Sequence, residues 1–234
     1  MERGMVMKIK KIVMHPVTEY FPMDGLYRRM EEYSRKYSLK ETEKALPFAE
    51  KRHEGQYRKQ DLYTDESIPY FMHPLMMACH AASLGISDDV ILAAVLLHDT
   101  AEDTGITVEE LPFSEAVRDA VDCLTFVRFP DETRAEAKKR YYERIKENPQ
   151  ACLVKLLDRC SNLSTMAGSF REDRMLEYID EAETYILPLA DIVREKLPAN
   201  SPAVFALEYQ ITGLCETIKY MIRRGREDGQ KKTE

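Results

Sequence analysis

An unbroken apolar run that ends in a histidine and an aspartate is the first place where this chain could do chemistry. VILAAVLL at 90–97 leads straight into His98 and Asp99. A carboxylate at the end of a buried helix loses its hydration unless something pairs with it, and a cation is a natural partner. Adjacent helical residues point about 100° apart, so one ion touches both only from the angle between them. A lone His-Asp pair is more often a core histidine beside a capping aspartate. A second carboxylate in equally apolar surroundings changes that balance. In LVKLLDRCSNL at 153–163, Asp158 follows Leu153, Val154, Leu156 and Leu157. A surface cation such as Arg159 is its ordinary partner. Asn162 and Thr165, four and seven residues on, share its helical stripe and make one wall of a polar site.

The remaining histidines are His15, His53, His73 and His80. His53 closes a predicted helix whose Leu46 and Ala49 share its inward face. His73 precedes Pro74 and shares a face with His80, and both read as core histidines more readily than as ligands. Residue chemistry leaves His53 and His73 open as partners of the pair. Glu102 and Asp103 lie one helical turn beyond His98 and Asp99, where they overhang any ion held there. A solvated acidic end before Gly105 is their plain reading, although acids at a helix C-terminus oppose the dipole. Imidazole mixed with carboxylate suits Mn²⁺, Fe²⁺, Co²⁺ or Zn²⁺.

Helices must position all of these groups. Helical periodicity and end signals predict helices at about 24–36, 39–54, 73–84, 88–102, 114–126, 132–147, 149–167, 171–196 and 202–224, and no run alternates with a period of two. The fold class is all-α. Ser38 with Glu41 and Thr107 with Glu110 have capping-box spacing, while Ser87 and Asn148 are further N-caps. Gly55, Gly85, Gly105 and Gly168 are placed to end helices, and Pro47 and Pro188 should kink or split theirs. The chain divides into an N-terminal extension at 1–22, one helical domain at 23–224 and a disordered charged tail at 225–234.

Composition narrows the function classes. The 234 residues carry a net charge of −7, which disfavours broad nucleic-acid binding. Five scattered cysteines without CxxC spacing fit neither a disulfide framework nor a zinc knuckle. No apolar stretch reaches the length of a membrane helix, and the N-terminus lacks a signal-peptide core. A cytoplasmic protein without a membrane or nucleic-acid partner is expected, and the oligomeric state is open.

Four segments in order, RHEGQYRK at 52–59, PYFMHP at 69–74, LLHDTAEDT at 96–104 and VKLLDRCSN at 154–162, resemble the hydrolase domain of the RelA/SpoT-type alarmone enzymes, within the HD phosphohydrolase superfamily. The resemblance spans about residues 39–195. It implies a single HD-domain bundle in a small, stand-alone hydrolase form, with one ion, usually manganese, on His53, His98, Asp99 and Asp158. His73 would then stand behind the ligands or serve the core. It further implies Glu102 and Asp103 in hydrolysis, Arg58 and Lys59 as the basic pair on the nucleotide, and Asn162 and Thr165 holding base and sugar. The implied reaction is hydrolysis of guanosine 3′,5′-bispyrophosphate (ppGpp), releasing pyrophosphate from the 3′ side. Water with a pKa lowered by the cation would be the nucleophile, oriented by Glu102 and Asp103.

This chain departs from the family at two places. QDLYTDESI at 60–68 replaces a short glycine-containing turn, and Ser161 and Ser164 stand where His and Arg are common. The loop should alter the nucleotide entrance, and the two serines remove a possible phosphate contact. Two other readings follow: a metal-dependent phosphatase for NADPH or a nucleoside monophosphate, and a nucleotide sensor without turnover.

Overall fold

A computed structural model of the chain describes residues 17–58 and 67–230. Their helices are α1 (Val17–Tyr20), α2 (Met23–Tyr37), α3 (Lys40–Arg52), α4 (Met72–Ser83), α5 (Asp89–Leu97) and α6 (Thr100–Asp103). There follow α7 (Glu115–Leu124), α8 (Arg134–Lys146), α9 (Pro149–Thr165), α10 (Glu172–Glu181), α11 (Leu189–Lys196) and α12 (Ser201–Gln230). Among the described residues, β structure is confined to one isolated bridge between Tyr57 and Pro69. The all-α expectation holds.

The longest apolar run makes the central element. Every side chain from Ile91 to Leu97 in α5 is buried, and α3, α4, α7 and α9 close around it. Burying each large aliphatic side chain there is worth about 1.5–3 kcal/mol. α9 is covered on its other side by α11 and α12, so both chemistry-bearing helices run through the middle of one continuous core.

The ends of these helices are set by contacts that are partly local and partly distant. Asn148 accepts from the Ala151 amide at 2.9 Å with Pro149 behind it, and Glu110 accepts from the Thr107 amide at 2.9 Å, both as predicted. Asp88, rather than Ser87, caps α5 by accepting from the Ile91 amide at 2.9 Å. The Ser38–Glu41 capping box is not formed. Ser38 takes φ +57° at the end of α2, and the first amides of α3 are held by Asp89, which accepts from Glu41 N at 2.9 Å and Thr42 N at 2.8 Å. A carboxylate on α5 thus caps α3 across the bundle.

Gly55, Gly85 and Gly105 adopt φ of +77°, +84° and +71° at helix ends, which only glycine does without strain. Gly168 does not; it lies in a 3-10 turn. α3 runs through Pro47 without splitting. The segment predicted as one helix over 171–196 divides: α10 widens into a π-helix at Ala182–Ile186, and Pro188 caps α11. α12 continues to Gln230, so residues 225–230 of the expected tail are helical.

Candidate metal centre

The helix predicted over 88–102 breaks at its most reactive point. α5 stops at Leu97 and α6 begins at Thr100. Between them Asp99 takes φ −100° and ψ −3°, a bridge-region conformation common in active sites. The break brings His98 Nε2 to 3.0 Å from Asp99 Oδ2 and 3.9 Å from Asp158 Oδ1. His98 Nδ1 donates to the Val95 carbonyl at 2.9 Å. In the neutral ring, the Nε2 lone pair therefore faces two carboxylates. That nitrogen is buried and lies in line with no hydrogen-bond partner. Burial alone would lower the His98 pKa, yet Asp99 and Asp158 outweigh it and raise it to about 9. Burial would raise Asp99, but the neighbouring His98 holds it below the usual carboxylate range. The site demands positive charge at one point, and the donor set fits a divalent cation there.

His73 on α4 reaches the same point. Its Nε2 lies 3.2 Å from Asp158 Oδ1 and its Nδ1 3.2 Å from Ser161 Oγ. Burial lowers its pKa; in the neutral ring Nε2 donates to Asp158 and Nδ1 accepts from Ser161, so both nitrogens are already engaged. Among the described residues, ligand-type atoms of His73, His98 and Asp99 gather within 4.8 Å of one another.

His53, assigned as a ligand through the resemblance, keeps a buried Nε2 without a hydrogen-bond partner, as His98 does. It ends α3, donates from Nδ1 to Gln56 Oε1 at 2.7 Å, and stacks on Tyr70 with ring centroids 4.8 Å apart. Tyr70 in turn meets His73 edge-on at 6.3 Å. The tyrosine ring packs against both histidines; His73 uses Nε2 on Asp158 and Nδ1 on Ser161, whereas His53 uses only Nδ1.

Tyr70 is a residue that sequence reasoning missed. Its hydroxyl donates to Asp99 Oδ2 at 2.5 Å and lies within hydrogen-bonding reach of Asp103. Glu102 Oε2 accepts from the Phe126 amide at 3.0 Å. Burial raises the pKa of both Glu102 and Asp103.

A cavity of about 730 Å³ opens beside these groups, lined by Asp99, Glu102, Asp158, Arg58, Asn162 and Thr165 among others. The predicted stripe of Asp158, Asn162 and Thr165 thus forms one wall. Asn162 Nδ2 donates to Asp158 Oδ1 at 2.5 Å, and its Oδ1 accepts from Arg58 at 3.2 Å. Lys59 and most of the 60–68 loop lie outside the described residues.

Residues 45–190 match the HD domain family. The chain belongs to that family. A guanosine-3′,5′-bis(diphosphate) 3′-pyrophosphohydrolase of Aquifex aeolicus is 32% identical over 193 residues, 80% of this chain and 26% of that protein. A GTP pyrophosphokinase of Streptomyces antibioticus is 33% identical over 181 residues, 75% of this chain and 20% of that protein. The chain spans about a quarter or less of the length of these relatives. The solved structure of a metazoan orthologue of SpoT superposes with a TM-score of 0.53 at 23% identity, covering 72% of this chain and 95% of that one; the two share the fold.

This HD domain lines the cavity with further charged groups, Lys155 from within the segment at 154–162 and Glu181 from outside all four matching segments. Lys155 places Nζ 2.9 Å from Asp158 Oδ2. Glu181, beside the π-turn, binds Arg159 at 2.6 Å, Lys138 at 2.6 Å and the Tyr142 hydroxyl at 2.5 Å. Lys155 stands three residues before Asp158 on an apolar helix, and that spacing was a readable signal. Nothing near Glu181 was.

Proposed function

We propose that this HD domain hydrolyses guanosine 3′,5′-bispyrophosphate, with one divalent cation held by His53, His98, Asp99 and Asp158. The observation that carries the reading is the buried Nε2 of His98, pointed at two carboxylates without a hydrogen-bond partner. Manganese is the first ion to test, then Fe²⁺, Co²⁺ and Zn²⁺, since the ligand set suits all four. The substrate follows from the Aquifex relative's name and from a cavity of nucleotide size that has Arg58 and Asn162 on its wall.

When bound, the ion supplies Lewis acidity toward water and a phosphoryl oxygen. The chain's own groups do the rest. Glu102, anchored through Oε2 by Phe126, orients water, and Asp103 shares the Tyr70 hydroxyl with Asp99. The water oxygen bonds to phosphorus and the bond from phosphorus to the ribose 3′ oxygen breaks. The proton lost by water ends on that ribose oxygen, with Glu102 and Asp103 the carboxylates placed to carry it. Arg58 and Asn162 hold the nucleotide, with Thr165 along the same wall and Lys59 as the second member of the basic pair. The products are GDP and pyrophosphate.

Manganese-loaded protein incubated separately with ppGpp, NADPH and GMP tests the reading. Pyrophosphate released from ppGpp alone supports it. Orthophosphate from NADPH or GMP would make the protein a phosphatase instead, and binding without turnover would make it a sensor.

A further inference from the structure

Four carboxylates crowd the metal end of the cavity: Asp99, Glu102, Asp103 and Asp158. A polyanionic substrate has to approach them, and one divalent cation offsets only two of the four charges. Two described cations are joined to this cluster by hydrogen bonds, Arg58 through Asn162 and Lys155 directly. Lys155 is the more enclosed, with 15% of its side chain exposed, and it lines the cavity. An enclosed ammonium is costly unless its partners need it.

The geometry leaves that ammonium available. Asp158 uses Oδ2 for Lys155 and Oδ1 for His73 and Asn162, so the lysine does not compete with them for one oxygen. Tyr141 donates its own O–H to the Leu124 carbonyl at 2.8 Å, and its ring centroid lies 5.5 Å from Lys155 Nζ. An ammonium has three donors. Asp158 takes one, which leaves donors for the cavity that Lys155 lines.

We propose that Lys155 is a catalytic residue whose ammonium contacts a non-bridging oxygen of the phosphoryl group under attack. The proposal rests on the phosphohydrolase reading above. It assigns to Lys155 a share in neutralising charge on the transferring group, while Glu102 and Asp103 handle water.

Lys155→Met and Lys155→Arg variants loaded with manganese test this through three measurements: metal per chain, affinity for inorganic pyrophosphate by calorimetry, and kcat and KM with ppGpp. We expect Lys155→Met to keep its metal, to bind pyrophosphate about 10-fold more weakly and to lose about 100-fold in kcat. Lys155→Arg should recover part of both losses. Unchanged pyrophosphate affinity would overturn the proposal. So would metal loss from Lys155→Met that excess manganese does not restore, because Lys155 would then act only by holding Asp158. If Lys155→Met does not fold, Lys155→Gln serves for the same comparison. Wild-type protein that binds pyrophosphate through Lys155 yet cleaves no phosphate compound would refute the hydrolase reading and the catalytic role together, leaving an anion ligand.

Discussion

His73 Nε2 stands 3.2 Å from Asp158 Oδ1, joining α4 to α9 across 85 residues of sequence. The contact places an imidazole from the start of one helix on the same carboxylate oxygen that faces His98. With Ser161 on Nδ1 it engages both ring nitrogens of His73, while the buried Nε2 of His53 stays unpartnered.

Metal content separates the two histidines. His53→Ala and Asp158→Asn are expected to lose the ion, whereas His73→Ala retains it, as measured by elemental analysis after gel filtration. A fully loaded His53→Ala beside an empty His73→Ala would move the ligand role to His73.

Glu102→Gln should keep the ion and lose about 10²–10⁴-fold in turnover, the usual contribution of a positioned acid or base. Burial raises the Glu102 pKa, and a base works deprotonated. The acid limb of kcat/KM in wild type should therefore lie above the ordinary glutamate value of about 4.3. Turnover by Glu102→Gln within a factor of two of wild type would remove Glu102 from the mechanism.

Tyr70→Phe deletes one hydroxyl and keeps the ring stacked on His53. With Asp99 and Asp103 deprived of their shared donor, kcat is expected to fall about 10-fold, on the scale of one hydrogen bond to a charged group, at unchanged metal content. Stopped-time assays beside metal analysis check both halves, and an unaltered kcat would mean that the hydroxyl orients nothing the reaction uses.

Glu181 sets a pH dependence of stability. Burial would raise its carboxyl, but Arg159, Lys138 and Tyr142 outweigh burial and hold it at about 2, against 4.5 ordinarily. The ionised group therefore stabilises the fold fully above pH 4.5, and that contribution is lost as pH falls from 4.5 towards 2. The shift corresponds to at most about 3 kcal/mol. In urea titrations, Glu181→Gln should be less stable than wild type at pH 7 and lose less stability on acidification; parallel pH profiles would contradict this.

Leu96→Ala removes a fully buried side chain from α5 and should cost about 2–5 kcal/mol by denaturant titration. A cost under about 1 kcal/mol would show that the helices around α5 collapse onto the gap.

Most of the helical frame was readable because its signals are local. Asn148 with Pro149, and the glycines at 55, 85 and 105, act on their own neighbours. The α3 cap was not readable, since Asp89 comes from 47 residues away to accept from Thr42. The break at His98–Asp99 escaped notice because both residues tolerate a helix and the apolar run gives no sign of stopping. The candidate site was half legible. His98, Asp99 and Asp158 are marked by charge in apolar surroundings, whereas the difference between His53 and His73 lies in the hydrogen bonds each ring makes across elements, and no spacing encodes that.

The π-turn at Ala182–Ile186 sets two side chains on one ring: Glu181 accepts from the Tyr142 hydroxyl, and Tyr185 lies flat on the same tyrosine at 4.7 Å. A widened turn holds one residue more than regular winding requires. Deleting that residue would heal the coil into plain α-helix and swing everything upstream by about 100°, carrying Glu181 away from Arg159 and Lys138. In this stretch, then, spelling can drift more freely than length, and shortened relatives should carry a different counter-ion for the arginine that follows Asp158.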